Sequence, residues 1–326
     1  MGNEIDVSEL PPRILLDLNS YCNLKCPMCI VHSDIENPKV KQIIRQRMSA
    51  DQARQILDEV MAAQPAVGPS LWSEPLMAKD ILVHLQNMKA RGMNVAINTN
   101  GLLLDKKMAN ELVALEIDAI TISIDAVTKE TLQKIRGIDK LEKIENNVHQ
   151  LIMLRGDRDL PRIGVSFTKQ CENISEHDDF IEKWMPIVDF VRTGEVFEEG
   201  RFPEINLDRK QRTPCPELYT TMAIHTNGDV SICCLDGFKD HRVGNALEQG
   251  VRAVWQGEEM QKVRRYHENG EYHKVPLCTN CDRWAASKYS EEVVDGILIR
   301  KSSEYTYYNN LEKIKNWKKN VRHSAP

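Results

Sequence analysis

At 326 residues the chain is too long for one small domain and suits one large α/β unit with a smaller appendage. Its 41% hydrophobic and 28% charged content is ordinary for a globular protein, and a net charge of −5 gives no basic field that would argue for nucleic acid. No apolar run reaches the length of a membrane span, and the acidic, polar start (Met1 to Leu10) predicts neither signal peptide nor anchor. Nine cysteines without a secretory signal then predict a reducing, cytoplasmic setting, where thiols ligate metal rather than pair.

After a lead-in over 1–12, residues 14–19 read as a buried strand that runs into Cys22-Asn23-Leu24-Lys25-Cys26-Pro27-Met28-Cys29. Residues 30–47 read as an irregular insertion carrying His32, Asp34, Lys39, Lys41, Arg45 and Arg47. Ser49 with Gln52 three residues on is a capping box, opening a helix whose Ala53, Ile56, Leu57, Val60 and Met61 share one face. A strand over 66–71 ends at Trp72-Ser73-Glu74-Pro75, and a helix over 81–89 stops at Gly92. The strand 94–98 runs into the turn Thr99-Asn100-Gly101. A helix (106–115), a strand (119–124) ending at Asp125, two helices (129–135 and 141–154), a strand (163–167), a helix (175–185) and a strand (188–191) follow. Nearly all-apolar strands alternating with helices predict a parallel sheet covered by helices. About six such units predict an open barrel rather than the full eight, spanning 13–198.

The pattern changes across a stretch rich in charge, Gly and Pro, read as a linker over 199–214. Segments 218–225 and 229–232 flank Thr226-Asn227-Gly228, a hairpin signal, within a smaller domain over 215–290. The remaining tail, 291–326, holds Tyr305, Tyr307, Tyr308 and Trp317 and ends in a basic, helix-like run (Lys313, Lys315, Lys318, Lys319, Arg322), expected to be a solvated face.

The early cysteines carry the chemistry. Their C-x3-C-x2-C spacing puts three thiolates within eight residues, enough to grip one face of a metal centre. A closed zinc site or ferredoxin-type cluster wants four protein ligands. Three leave one position for something that is not protein, unless a distant fourth cysteine closes a zinc site. This spacing resembles the signature of the radical S-adenosylmethionine (SAM) superfamily. The resemblance implies a partial (β/α)6 barrel and a 4Fe–4S cluster held by Cys22, Cys26 and Cys29, whose free iron binds the amino and carboxylate groups of SAM. An electron from a donor such as flavodoxin or ferredoxin then yields a 5'-deoxyadenosyl radical that takes hydrogen from substrate.

Further motifs fall in the order that family implies. Glu74-Pro75 resembles its Gly-Gly-Glu-Pro element, which holds the SAM ammonium, with Trp72-Ser73 standing where the glycines would be. Asn98-Thr99-Asn100 looks like the polar end of the family's fourth strand, and Ser123 with Asp125 like that of its fifth, both implying contacts to the ribose. Arg136 resembles the arginine expected near the SAM carboxylate, where a planar fork suits the ligand.

A second set comprises Cys215, Cys233, Cys278 and Cys281, in a Cys-x12-Gly-x4-Cys opening and a Cys-x2-Cys end. Four thiolates suit zinc or a 4Fe–4S cluster. The arrangement resembles the SPASM/twitch extension in its one-auxiliary-cluster form, of the 2-deoxy-scyllo-inosamine dehydrogenase type, which implies iron–sulfur. Cys171, expected just past the sixth barrel strand, and Cys234 are left over, as buried hydrophobes or as hydrogen-atom donors to a substrate radical. Cys234 also competes with Cys233 as ligand.

The expected activity is a radical SAM oxidation of a small polar molecule (sugar, cyclitol or aminoglycoside-like), with the auxiliary cluster taking the second electron. His32, Glu195 and Arg201 are candidate substrate-side groups by position. The alternatives are an epimerase using Cys234 or Cys171, a ribosomal-peptide-modifying enzyme, and a non-catalytic iron–sulfur or zinc scaffold. The short lead-in favours a small substrate over a peptide.

Overall fold

The structure, a computed structural model, describes residues 7–34, 37–43, 45–196, 207–208 and 211–314. Twelve strands lie among them: β1 (Arg13–Leu16), β2 (Ala66–Gly68), β3 (Asn94–Thr99), β4 (Ala119–Ser123), β5 (Arg162–Lys169), β6 (Phe190–Glu195), β7 (Thr221–Ile224), β8 (Asp229–Ser231), β9 (Arg242–Asn245), β10 (Tyr289–Val294), β11 (Ile297–Ser302) and β12 (Tyr305–Asn310). The chain forms two compact units, Met1–Tyr21 with Gln42–Val95 and Phe197–Ser287, and Cys22–Lys41 with Ala96–Val196 and Lys288–Pro326.

In the first unit β1 lies between β2 and β7, parallel to both, while β7, β8 and β9 continue antiparallel. The helix Ala50–Val60 begins at the expected capping box, with Ser49 Oγ accepting from Gln52 N and the Gln52 side chain accepting from Ser49 N. Its Ala53, Ile56, Leu57 and Val60 are buried, as the periodicity requires. At the β7–β8 turn Gly228 has φ +84°, and a Cβ there would meet the Asn245 side chain at 2.6 Å.

In the second unit β3, β4, β5 and β6 run parallel in chain order. Ile120, Ile122, Ile163, Val165, Phe167 and Val191 are fully buried, which is why these segments read as unbroken apolar runs. With β1–β2 and β2–β3 also parallel, six sequential strands make the (β/α)6 partial barrel that the resemblance implied.

The structure departs from expectation in several places. The ends of β3 and β4 are the third and fourth strand ends, not the fourth and fifth, and Cys171 follows the fifth strand, not the sixth. The last barrel strand starts later and runs on to Glu195, because Arg192 and Thr193, too polar to read as core, pair with both β5 and β12. The segment 218–225 opens as a helical turn (Glu217–Thr220), and β7 joins β1 rather than making only a hairpin. The insertion after the cysteines holds a short helix, Pro38–Gln42. The helices Val251–Trp255 and Glu258–Glu268 had no sequence expectation. Nor did the β10–β12 ribbon, which pairs antiparallel with β6 and lays the Tyr305 ring over Gly194, where a Cβ would stand 2.9 Å from it. Most of the expected linker, Arg201 included, and the basic run beyond Lys313 fall outside the described residues. Among the described residues no helix is long and apolar enough to cross a membrane.

Candidate active site and cluster sites

The second unit holds the cysteine trio. Cys26 is buried, and Cys22 and Cys29 are half-buried. The loop is wound on itself by Cys29 N donating to Cys26 O (2.9 Å) and Leu24 N donating to Cys22 Sγ (3.4 Å). It is tied to the end of β3 by Asn100 Nδ2 donating to Asn23 Oδ1 at 2.7 Å. Asn100 Oδ1 and Thr99 Oγ1 accept from Leu102 N and Gly101 N, so both side chains serve the loop and turn. Of Asn98, Thr99 and Asn100, Asn98 alone is exposed.

Arg136 ends the helix Lys129–Arg136 and sets Nη1 4.0 Å from Cys26 Sγ. Its Nη2 is ion-paired to Asp125, a wholly buried carboxylate just past β4. Burial works against the arginine's charge, but Asp125 and Cys26 outweigh it and raise its pKa further. Burial pushes the Cys26 thiol up, opposed by the nearby guanidinium. A cation beside this sulfur is what a thiolate ligand needs. Asp125, the expected ribose contact, is engaged at both carboxylate oxygens: Oδ1 accepts from Thr168 N (2.7 Å), Oδ2 takes Arg136, and the carbonyl accepts from Asn173. These bonds hold the Asp125 carboxylate against Arg136. Ser123 Oγ, half-buried at the end of β4, accepts from Ser166 Oγ at 3.3 Å.

Glu74 lies in the first unit with Pro75, both buried. Its Oε1 accepts from Leu76 N (3.2 Å), its N donates to Tyr21 O (3.0 Å), and its carbonyl accepts from Asn19 Nδ2 (3.0 Å). Asn19 Oδ1 also accepts from Tyr21 N, so one amide brackets the Glu74 turn and the residue before Cys22. Sequence reasoning saw Asn19 only as a strand end; the two-sided amide between a strand and a ligand loop was the available signal.

Asp17, just past β1, accepts from Ser73 Oγ (2.6 Å), and burial raises its pKa to about 6 despite that bond. A carboxyl with a raised folded pKa costs stability as pH rises from its unfolded value, about 4, towards 6, and the cost then stays constant. Asp17→Asn is therefore expected to stabilise the fold at pH 7.5, by no more than about 3 kcal/mol, and so to raise the thermal midpoint there while changing it little at pH 4. Melting curves at the two pH values check this.

The first unit also holds the second cysteine set. Cys215, Cys233, Cys278 and Cys281 line one cavity with Arg212 and His267. Burial is the main cause that raises all four thiols, Cys278 to about 12, and neighbouring sulfurs add to the rise at Cys215, Cys233 and Cys278. Four thiolates in so apolar a cavity need a positive centre, so the donor set fits a cluster, and loading it releases protons. Arg212 donates to Cys278 O (2.5 Å) and Thr279 O (3.0 Å) and stacks on Tyr272, and Cys215 N donates to His267 Nδ1 (3.2 Å). Cys234 faces other charges. Beyond its burial, Glu217, Arg283 and Arg13 act on it, and Glu217 and Arg283 form their own buried pair at 2.9 Å. Cys233→Ala is expected to lose the auxiliary cluster's iron and absorbance, and Cys234→Ala to keep both; iron analysis after anaerobic reconstitution checks the pair.

At the carboxyl ends of β5 and β6 in the second unit, Lys169 pairs with Glu195. Glu195 was expected on the substrate side, but Lys169 was not. Cys171, two residues past β5, is exposed, so the small-hydrophobe reading fails for it. His32 is half-buried in the cysteine-loop segment.

The comparisons with known proteins agree with this geometry. Residues 18–157 match the Radical SAM superfamily, and residues 215–282 match SPASM, an iron–sulfur cluster-binding domain. The fold and the two thiol sets are arranged as the radical SAM resemblance implied. Residues 18–157 thus carry a Radical SAM domain and residues 215–282 a SPASM domain, and these domains imply a 4Fe–4S cluster, SAM and auxiliary iron–sulfur as cofactors. In Methanosarcina barkeri, Fe-coproporphyrin III synthase is 28% identical over 128 residues, 39% of this chain and 30% of that protein. The chain spans about a third of the length of the curated relatives it matches. Among solved structures, BtrN in complex with AdoMet and 2-DOIA has a TM-score of 0.59 at 17% identity, covering 84% of this chain and 93% of that one. SuiB of Streptococcus suis bound to precursor peptide SuiA has a TM-score of 0.62 at 18% identity, covering 79% and 67%. These likenesses show the fold.

Proposed function

We propose that the protein oxidises a small polar molecule, such as a sugar, cyclitol or aminoglycoside-like compound, converting a secondary alcohol to a ketone. The observation that carries this reading is how the nine cysteines divide. Three lie in the early loop, four line one cavity, and two stand apart. When bound, the first cluster and SAM supply hydrogen-atom abstraction through a 5'-deoxyadenosyl radical, and the auxiliary cluster supplies an acceptor for the second electron.

In this reading Cys22, Cys26 and Cys29 hold the first cluster and leave one iron free for SAM. Glu74, shaped by Pro75, takes the SAM ammonium, and Arg136, oriented by Asp125, takes its carboxylate as a planar donor. Asn98 and Ser123 reach the ribose, while Thr99 and Asn100 fix the turn beside them. Cys215, Cys233, Cys278 and Cys281 hold the auxiliary cluster. Glu195, paired with Lys169 at the strand ends, takes the hydroxyl proton as the ketone forms. Flavodoxin or ferredoxin delivers the starting electron.

The exposed Cys171 supports a second reading, epimerisation, in which its thiol returns hydrogen to the substrate radical. Turnover in deuterium oxide separates the two. Ketone formation with one 5'-deoxyadenosine per product supports oxidation, whereas solvent deuterium at carbon that Cys171→Ala abolishes supports epimerisation. Release of 5'-deoxyadenosine only with peptide substrates overturns the small-molecule reading, and intact SAM in the reduced, reconstituted protein overturns both.

A further inference from the structure

Trp72 and Ser73 stand where the superfamily element has two glycines, and both side chains are engaged. Ser73 Oγ donates to Asp17 Oδ1, which also accepts from Leu71 N at 3.3 Å, and Asp17 N donates to Ile224 O of β7 at 2.8 Å. Trp72 Nε1 donates to the carbonyl oxygen of Cys234 at 2.8 Å. Cys234 directly follows Cys233, whose own carbonyl accepts from Ser231 Oγ (3.1 Å) and Asp236 N (3.2 Å). The three residues Trp72-Ser73-Glu74 thus join a peptide group beside an auxiliary-cluster cysteine to the carboxylate assigned to the SAM ammonium. Two glycines would leave that connection unmade.

We propose that Trp72 is a positioning residue that couples the two cofactor sites, its indole N–H holding the Cys233–Cys234 loop and the Glu74 turn in one register. The proposal rests on the reading of Glu74 given above. Coupling between sites is reciprocal. A loop tightened by the auxiliary cluster presents Glu74 better to SAM, and SAM bound at Glu74 alters the surroundings of the auxiliary cluster. One neutral hydrogen bond carries about a five-fold effect on an equilibrium.

The test is a double-mutant cycle on the full chain with reconstituted clusters, using SAM as the probe. Trp72→Phe and Cys233→Ala are each expected to weaken SAM binding about five-fold, and the double variant no further. In a Cys22→Ala/Cys26→Ala/Cys29→Ala background, Trp72→Phe is expected to shift the electron paramagnetic resonance spectrum of the reduced auxiliary cluster. Trp72→Gln, which keeps an N–H donor, should restore part of both effects, and Ser73→Ala should leave the spectrum alone. Should Trp72→Phe fail to load its clusters, Trp72→Gln against Trp72→Leu reads the same cycle. Additive losses in SAM binding, or an unshifted spectrum, overturn the coupling. If the unmodified protein binds no SAM while the spectrum still shifts, it is the Glu74 reading that fails.

Discussion

Cys26→Ala is expected to reduce 5'-deoxyadenosine release to background while the protein keeps its second cluster, so that bound iron falls from about eight atoms per chain to about four. Cys26 is the buried member of the trio and the one whose sulfur has Arg136 beside it. Two thiolates cannot hold a cluster that three already hold with a free corner, and the vacant iron on which SAM binding depends disappears with it. The auxiliary thiols belong to the other compact unit and to a separate cavity, so their iron is expected to survive. Iron and sulfide analysis with product chromatography reads both halves. Loss of all iron, or continued SAM cleavage, contradicts the assignment of the trio.

Asp125→Ala is the substitution expected to cost most stability. It leaves the Arg136 guanidinium buried without its carboxylate and leaves Thr168 N without its acceptor. Breaking a buried pair from one side costs about 3–5 kcal/mol, because the remaining charge is stranded. Asp125 also sits at φ +65°, a left-handed conformation that alanine tolerates less well than aspartate. Removing both charges in Asp125→Asn/Arg136→Met is expected to recover much of the stability, since an uncharged pair avoids the desolvation penalty. That double variant should still fail in SAM turnover, having lost the planar donor. Denaturant titration against turnover separates the two roles; a double variant as unstable as Asp125→Ala contradicts the ion-pair account.

Much of this was legible in the sequence, for identifiable reasons. The barrel strands were visible because Ile120, Ile122, Ile163 and Val165 are buried on both faces and leave unbroken apolar runs. The cysteine sets were visible because ligand spacing is local. The helix Ala50–Val60 was visible because its cap and its buried face agree. What stayed hidden depends on partners far apart in the chain. Nothing local reveals that Asp125 also bonds Arg136, Thr168 and Asn173. Lys169 gained meaning only when β5 and β6 set it opposite Glu195. The β10–β12 residues carry too much charge and tyrosine to read as core strands, because β10 is exposed along its whole length.

That ribbon bears on how an unclosed barrel avoids sticking to itself. A sheet that stops at its sixth strand offers a row of bare amides and carbonyls to any passing chain, and β12 caps this row on β6. Among the described residues the bare row moves out to β10, where Glu291 and Glu292 sit side by side on a strand of six exposed residues. If two copies aligned there antiparallel and centred, each would set its glutamates against the other's, and like charges repel. The molecule thus keeps its barrel open for chemistry and makes its last strand a poor template for growth.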